Sequence, residues 1–86
     1  MIKLVKNSIT DEGLKILLCY LVDDNFTKVL NMTGNHLTNK CLDYITKFIS
    51  KNNILKSIYL ANNKISPMQL KKRKNVFDSN FVEVII

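Results

Sequence analysis

Along this chain, apolar residues first alternate with polar ones and then fall at helical spacing, and the pair of patterns recurs. The middle stretch shows it most cleanly. Leu30 and Met32 alternate with Asn31 and Thr33, which predicts a short strand with one apolar and one polar face. Gly34-Asn35 ends that strand, and Thr38 is placed to cap a helix by accepting from backbone N–H groups a turn further on. Cys41, Leu42, Ile45, Phe48 and Ile49 then follow as one stripe at helical spacing. Ser50-Lys51-Asn52-Asn53 breaks the pattern before Ile54 and Leu55 lead into the next strand.

The same unit stands on either side of this one. Ile2-x-Leu4-x-x-Asn7-x-Ile9-Thr10, Leu30-x-Met32-x-x-Asn35-x-Leu37-Thr38 and Ile58-x-Leu60-x-x-Asn63-x-Ile65-Ser66 are spaced by 28 residues. A fixed period of this length marks stacked supersecondary units. In the first unit, Asp11 and Glu12 occupy the opening helical turn, where negative charge suits the helix dipole, and Leu14, Leu17, Leu18 and Leu21 form the stripe. In the third, Ser66 is the expected cap, with Pro67 at the first helical position. Its stripe is thinner, because Arg73 stands where Leu17 and Ile45 stood. The units are expected at approximately 1–28, 29–56 and 57–84, with a fourth strand starting within 81–86. Continuing the period places Val84 and Ile85 in register with Lys56 and Ser57.

Consecutive strands joined by one helix each run parallel, side by side, with the helices on one outer face. The strands take the shorter arc, so the stack curves with strands on its concave side and helices on its convex side. The repeated L-x-L-x-x-N-x-L pattern, followed by a cap and a helix, resembles the ribonuclease-inhibitor-type leucine-rich repeat over essentially the whole chain. That resemblance implies an α/β fold: one domain over residues 1–86, a short right-handed solenoid of about three β-α repeats. It also implies a protein ligand on the strand face, because ligands of that family usually bind there. It does not imply which protein, since such repeats serve unrelated binding roles.

Composition narrows the remaining classes. At 86 residues with 47% hydrophobic residues, two glycines and one proline, the chain suits a small packed domain and not a linker. The longest apolar run, Leu14 to Val22, is interrupted by Lys15 and is too short to span a bilayer. Asp23-Asp24-Asn25 follows it where a signal peptide would carry small residues. Cys19 and Cys41 fall at different phases of the repeat, which argues for free thiols in a reducing, cytoplasmic setting. Neither has zinc-site spacing, and no cofactor is expected.

The formal charge of +6 is uneven. Residues 1–28 are balanced, whereas the second and third stretches each carry a lysine excess. A basic surface can attract nucleic acid or an anionic membrane. Against that, 12 of the 13 basic residues are lysine, and with abundant asparagine and isoleucine this matches the codon bias of an AT-rich genome. The run Lys71-Lys72-Arg73-Lys74 lacks interleaved aromatics, so a solvated helix face is the plainer expectation than base stacking or groove reading. Arg73 is placed to lay its aliphatic stem over the end of the stack.

Candidate residues sort into scaffold and surface. Asn7, Asn35 and Asn63 are expected to be scaffold, because a tight parallel coil leaves turn N–H and C=O groups that a carboxamide satisfies. His36 is the single histidine and stands in a turn with no acidic, serine or cysteine partner in evident reach. No nucleophile-base pair or phosphate loop is present, so enzyme activity is not expected. The outward strand positions line up as Lys3, Asn31 and Tyr59; Val5, Thr33 and Ala61; Lys6, Gly34 and Asn62. Of these, Lys3, Asn31, Thr33, Tyr59 and Asn62 are the candidate protein-binding residues, tyrosine among small polar groups being a common contact composition. The expected function is non-enzymatic protein binding on this face. The alternatives are a fragment or decayed copy of a longer repeat protein with little function of its own, or weak electrostatic binding to RNA or acidic membrane. Self-association through the β-branched segment 81–86 is a further expectation.

Overall fold

The computed structural model describes residues 1–86. Strands β1 (Ile2–Lys3), β2 (Val29–Asn31), β3 (Ser57–Tyr59) and β4 (Glu83–Ile85) form one parallel sheet whose spatial order follows the sequence. Helices α1 (Asp11–Leu21) and α2 (Lys40–Lys51) make the first two connections, while α3 (Pro67–Lys72) and α4 (Lys74–Ser79) share the last. No helix is long and apolar enough to cross a membrane. The alternation read from the sequence decides which way each strand faces. Leu30, Met32, Ile58 and Leu60 point inward and are buried, whereas Lys3 is exposed and Asn31 and Tyr59 are half-buried. One continuous apolar cluster joins those strand residues to Leu14, Leu18, Leu42, Ile45, Phe48, Ile49 and Phe77 of the helices.

The 28-residue register holds for the first three strands. Ile2 pairs with Leu30 and Leu30 with Ile58; Lys3 pairs with Asn31 and Asn31 with Tyr59. It fails at the last. Ile58 pairs with Val84 and Tyr59 with Ile85, a spacing of 26, so Val84 and Ile85 do not align with Lys56 and Ser57. The two missing residues are in the loop after the helix. In the second unit Asn52 is followed by four residues before β3, whereas Asn80 is followed only by Phe81 and Val82 before β4. Phe81 turns this tight corner in the left-handed region at φ 57°. Phe81 N–H donates to Asp78 O at 3.1 Å and Val82 N–H to Phe77 O at 3.0 Å, the two bonds of a Schellman stop, with buried Phe77 and Val82 as its apolar pair.

Two other expectations need correction. The third unit's helix is not continuous: Arg73, at φ −105° and ψ 7°, separates α3 from α4. Arg73 replaces the buried Ile45 of the unit before, and a guanidinium is not buried among apolar groups without partners. Its side chain instead reaches Asp43 of α2 at 2.9 Å and Gln69 Oε1 at 3.1 Å. The caps also differ in kind. Thr10 accepts from Gly13 N–H at 3.4 Å, but Ser66 makes no side-chain cap bond. Thr38 accepts weakly from Lys40 N–H at 3.3 Å, and its hydroxyl donates to Asp11 at 2.5 Å.

Candidate functional site

Three sets of polar side chains bond the backbone of the turns, most of them from one β-α unit to the next. Asn35 is buried, accepts from Asn7 N–H at 3.0 Å and Ile9 N–H at 2.9 Å, and donates to Leu4 O at 2.8 Å and Met32 O at 2.9 Å. Asn63 repeats this one unit on, accepting from Leu37 N–H at 3.0 Å and donating to Met32 O at 3.0 Å. The Asn7 amide donates within its own turn, to Val5 O at 3.1 Å. Asn35 and Asn63 are scaffold, as their spacing predicts, whereas the Asn7 side chain is exposed and bonds only its own turn.

The second set was missed in the sequence. Asn52, which reads in the sequence as part of a pattern break, is buried; it donates to Leu21 O, Val22 O and Asp24 O and accepts from Ile54 and Leu55 N–H. Its counterpart one period earlier, Asp24, holds its own loop. The Thr27 hydroxyl, and then Phe26 N–H, hold the Asp24 carboxyl below the usual carboxylate range. Asp24, Asn52 and Asn80 share the 28-residue period, so the signal was present. The third set stands at the helix starts. Thr38 N–H donates to Asp11 at 2.8 Å, and Ser66 N–H donates to Asn39, one period on from Asp11, at 2.8 Å.

With the scaffold removed, the outward side of the sheet stands as a row: Lys3, Asn31, Tyr59 and Ile85, in direct register on β1 to β4. Neighbouring strands lie about 4.8 Å apart, so the row is roughly 14 Å long. Asn31 is oriented, not loose. Its carboxamide oxygen accepts from Thr33 N–H at 3.1 Å and from the Thr33 hydroxyl at 2.7 Å. That leaves the Asn31 amide hydrogens and the Thr33 lone pairs for outside partners. The row therefore offers an ammonium, an oriented amide donor, a phenol and an aliphatic group in sequence. Ile85 joins it through the shortened last unit, and the fixed 28-residue period had placed it elsewhere.

Asn62 does not share this setting. It lies beyond β3 in a left-handed turn at φ 56°, matched by Gly34 at φ 74° one period earlier and Lys6 at φ 57° two periods earlier. Asparagine suits that backbone, which accounts for the residue without a ligand. A Cβ added at Gly34 would stand 3.0 Å from the Lys6 side chain, so this row is a packed turn beside the strands. His36 is exposed, and its backbone N–H donates to Ile9 O at 2.8 Å. Cys41 is fully buried, and burial, with Asp11 adding to it, pushes its thiol up to about 12; Cys19 is exposed. No protein-family model matches the chain, and no curated protein matches it either.

Proposed function

We propose that this chain is a short leucine-rich-repeat module of the ribonuclease-inhibitor type, a curved solenoid without enzyme activity that binds a protein partner on its strand face. The observation that carries this reading is the in-register row Lys3, Asn31, Tyr59 and Ile85, with Thr33 fixing the Asn31 carboxamide. A half-buried tyrosine beside an oriented amide supplies an anchor and a directional bond at low entropic cost. The row is small. About 14 Å by three residues of strand is far below the ~800 Å² per partner of a standard interface. The partner is therefore held weakly, or extends past the row onto the flanking turns at Lys6 and Asn62. Cytoplasmic residence fits the free thiols, Cys41 being buried and unpaired.

The experiment is a pulldown at high salt. Retention that survives salt and is lost in Tyr59→Ala, with an unchanged circular dichroism spectrum, supports the reading. Lys71→Glu with Lys72→Glu, both exposed on α3, leaves it intact. Salt-sensitive retention on heparin, lost with those two lysines and indifferent to Tyr59, would instead favour electrostatic binding to RNA or acidic membrane.

A second reading, association of copies through β4, is favoured by its open edge. Only β3 pairs with β4, and the flanking Phe81 and Ile86 are 81% and 54% exposed. An unpaired strand edge bordered by apolar groups templates another strand. Sedimentation at high concentration tests it: Ile86→Lys is expected to raise the monomer fraction, and an already monomeric parent would end the idea.

A further inference from the structure

We propose that the groove between α1 and α2, on the opposite layer from the strand row, docks an acidic peptide segment carrying an apolar anchor. The groove has a volume of about 340 Å³. Leu18, Val22 and Phe48 form its floor, with Leu18 and Phe48 only 5% and 6% exposed. Cys19 and Tyr44 stand at its sides. Lys15, Lys47 and Lys51 rim it, and none of the three has a carboxylate partner; the chain's two ion pairs are Arg73 with Asp43 and Lys74 with Asp78. The single carboxylate bonded to a lining group is Glu12, which accepts from the Tyr44 hydroxyl at 3.3 Å. Lys15 places its ammonium 5.3 Å from the Tyr44 ring centre, so that ring already has its cation.

Complementary charge fixes the occupant. Three unpaired ammonium groups around an apolar floor match carboxylates flanking a leucine-like side chain. The groove runs from Lys15 on α1 to Val22, the residue that caps it, and from Tyr44 to Lys51 on α2, roughly 12 Å at the helical rise. That admits about two turns of helix, with anchors spaced as i and i+4. An acidic membrane fits less well. Its acyl chains meet side chains that project past the lysines, and here the floor is buried below them; the large exposed apolar groups of α1, Ile16 and Tyr20, are not among the groove's lining residues. RNA would use the lysines and leave the floor without a role.

Cys19 gives the site its own reporter, because it lines the groove and is exposed while Cys41 is buried. The probe is a synthetic helical peptide of about three turns with leucines at i and i+4 among glutamates. Its controls carry glutamine for glutamate, or serine for leucine. Alkylation of the full chain by iodoacetamide is followed by mass. The acidic leucine peptide is expected to slow Cys19 alkylation, and neither control peptide to do so. Lys47→Glu with Lys51→Glu is expected to weaken protection roughly tenfold, while Lys64→Glu, remote from the groove, leaves it unchanged. These lysines are exposed, and circular dichroism checks that each variant folds. No slowing at millimolar peptide, or equal slowing by either control peptide, overturns the proposal. So does equal slowing by phosphatidylserine vesicles, which assigns the groove to lipid, or by poly(U), which assigns it to RNA.

Discussion

The second and third units share a sequence pattern and differ in how far it is satisfied. In the second, Cys41, Leu42, Ile45, Phe48 and Ile49 are all buried, with α1 on one side and α4 on the other. In the third, the equivalents of Cys41, Leu42 and Ile45 are Gln69, Leu70 and Arg73, all of them half-exposed. The helix breaks at Arg73, and the loop that follows loses two residues. A unit covered on both faces tolerates only apolar residues along its stripe; a unit covered on one face admits an arginine, provided a carboxylate lies within reach. The difference also moves the sheet register, and through it the composition of the outward row.

The largest test of this contrast compares equivalent leucines. Leu42→Ala is expected to cost about 2–5 kcal/mol, because the site is fully buried and cannot collapse from either side. Leu70→Ala, at the half-exposed equivalent, is expected to cost roughly half as much or less by the same reasoning. Chemical denaturation measures both, and equal losses would remove the contrast between a covered and an uncovered unit.

Next come the buried carboxamides. Asn35→Ala and Asn52→Ala are each expected to lose roughly 1–3 kcal/mol, since each leaves several turn groups without a partner. His36→Ala, at an exposed turn position, should leave the denaturation midpoint where it was. A similar loss at His36 would mean that the bonded scaffold does not carry the turn.

Alkaline pH sharpens the comparison further, because Cys41 is peculiar to the middle unit. Its folded pKa of about 12 exceeds the ordinary 9.0. Between those values the unfolded chain binds fewer protons than the folded one, so stability is full below pH 9 and falls as pH rises. The loss attributable to this thiol by about pH 10.5 is ~2 kcal/mol. Denaturation of Cys41→Ala against the parent between pH 8 and 10.5 isolates it, the variant showing the shallower decline. Parallel curves would show that the thiol is not held dry.

The smallest expected effect is a gain. Phe81 holds a left-handed backbone that glycine adopts without strain, and its ring is 81% exposed. Phe81→Gly is expected to stabilise by about 0.5–1 kcal/mol, visible as a rise in melting temperature. A loss instead would give the exposed ring a packing role at the short corner.

The period made the first three strands, their facing and the Asn7, Asn35 and Asn63 series readable from residue types alone. Periodicity reports what recurs, and it hides what is edited. Asn80-Phe81-Val82 kept its place in the pattern while losing two residues, because Val84, Ile85 and Ile86 are all apolar and accept either register. Asparagine near a helix end reads as a breaker, and only the burial of Asn52 shows that it is a clamp. Among the candidate residues, Lys3, Asn31 and Tyr59 followed from strand alternation. Asn62 did not, because residues in a repeated left-handed turn keep the same period as residues in a strand. The α1–α2 groove was invisible, since Lys15, Lys47 and Lys51 lie on two helices and become one rim only when those helices pack.

The place of Ile85 in the outward row depends on how β4 sits against β3, and nuclear Overhauser contacts between the two strands measure that directly. The expected pattern links Ile58 with Val84 and Tyr59 with Ile85, which closes the row Lys3, Asn31, Tyr59 and Ile85. Contacts linking Ser57 with Ile85 and Ile58 with Ile86 would restore the unbroken 28-residue period, remove Ile85 from the row and contradict the account.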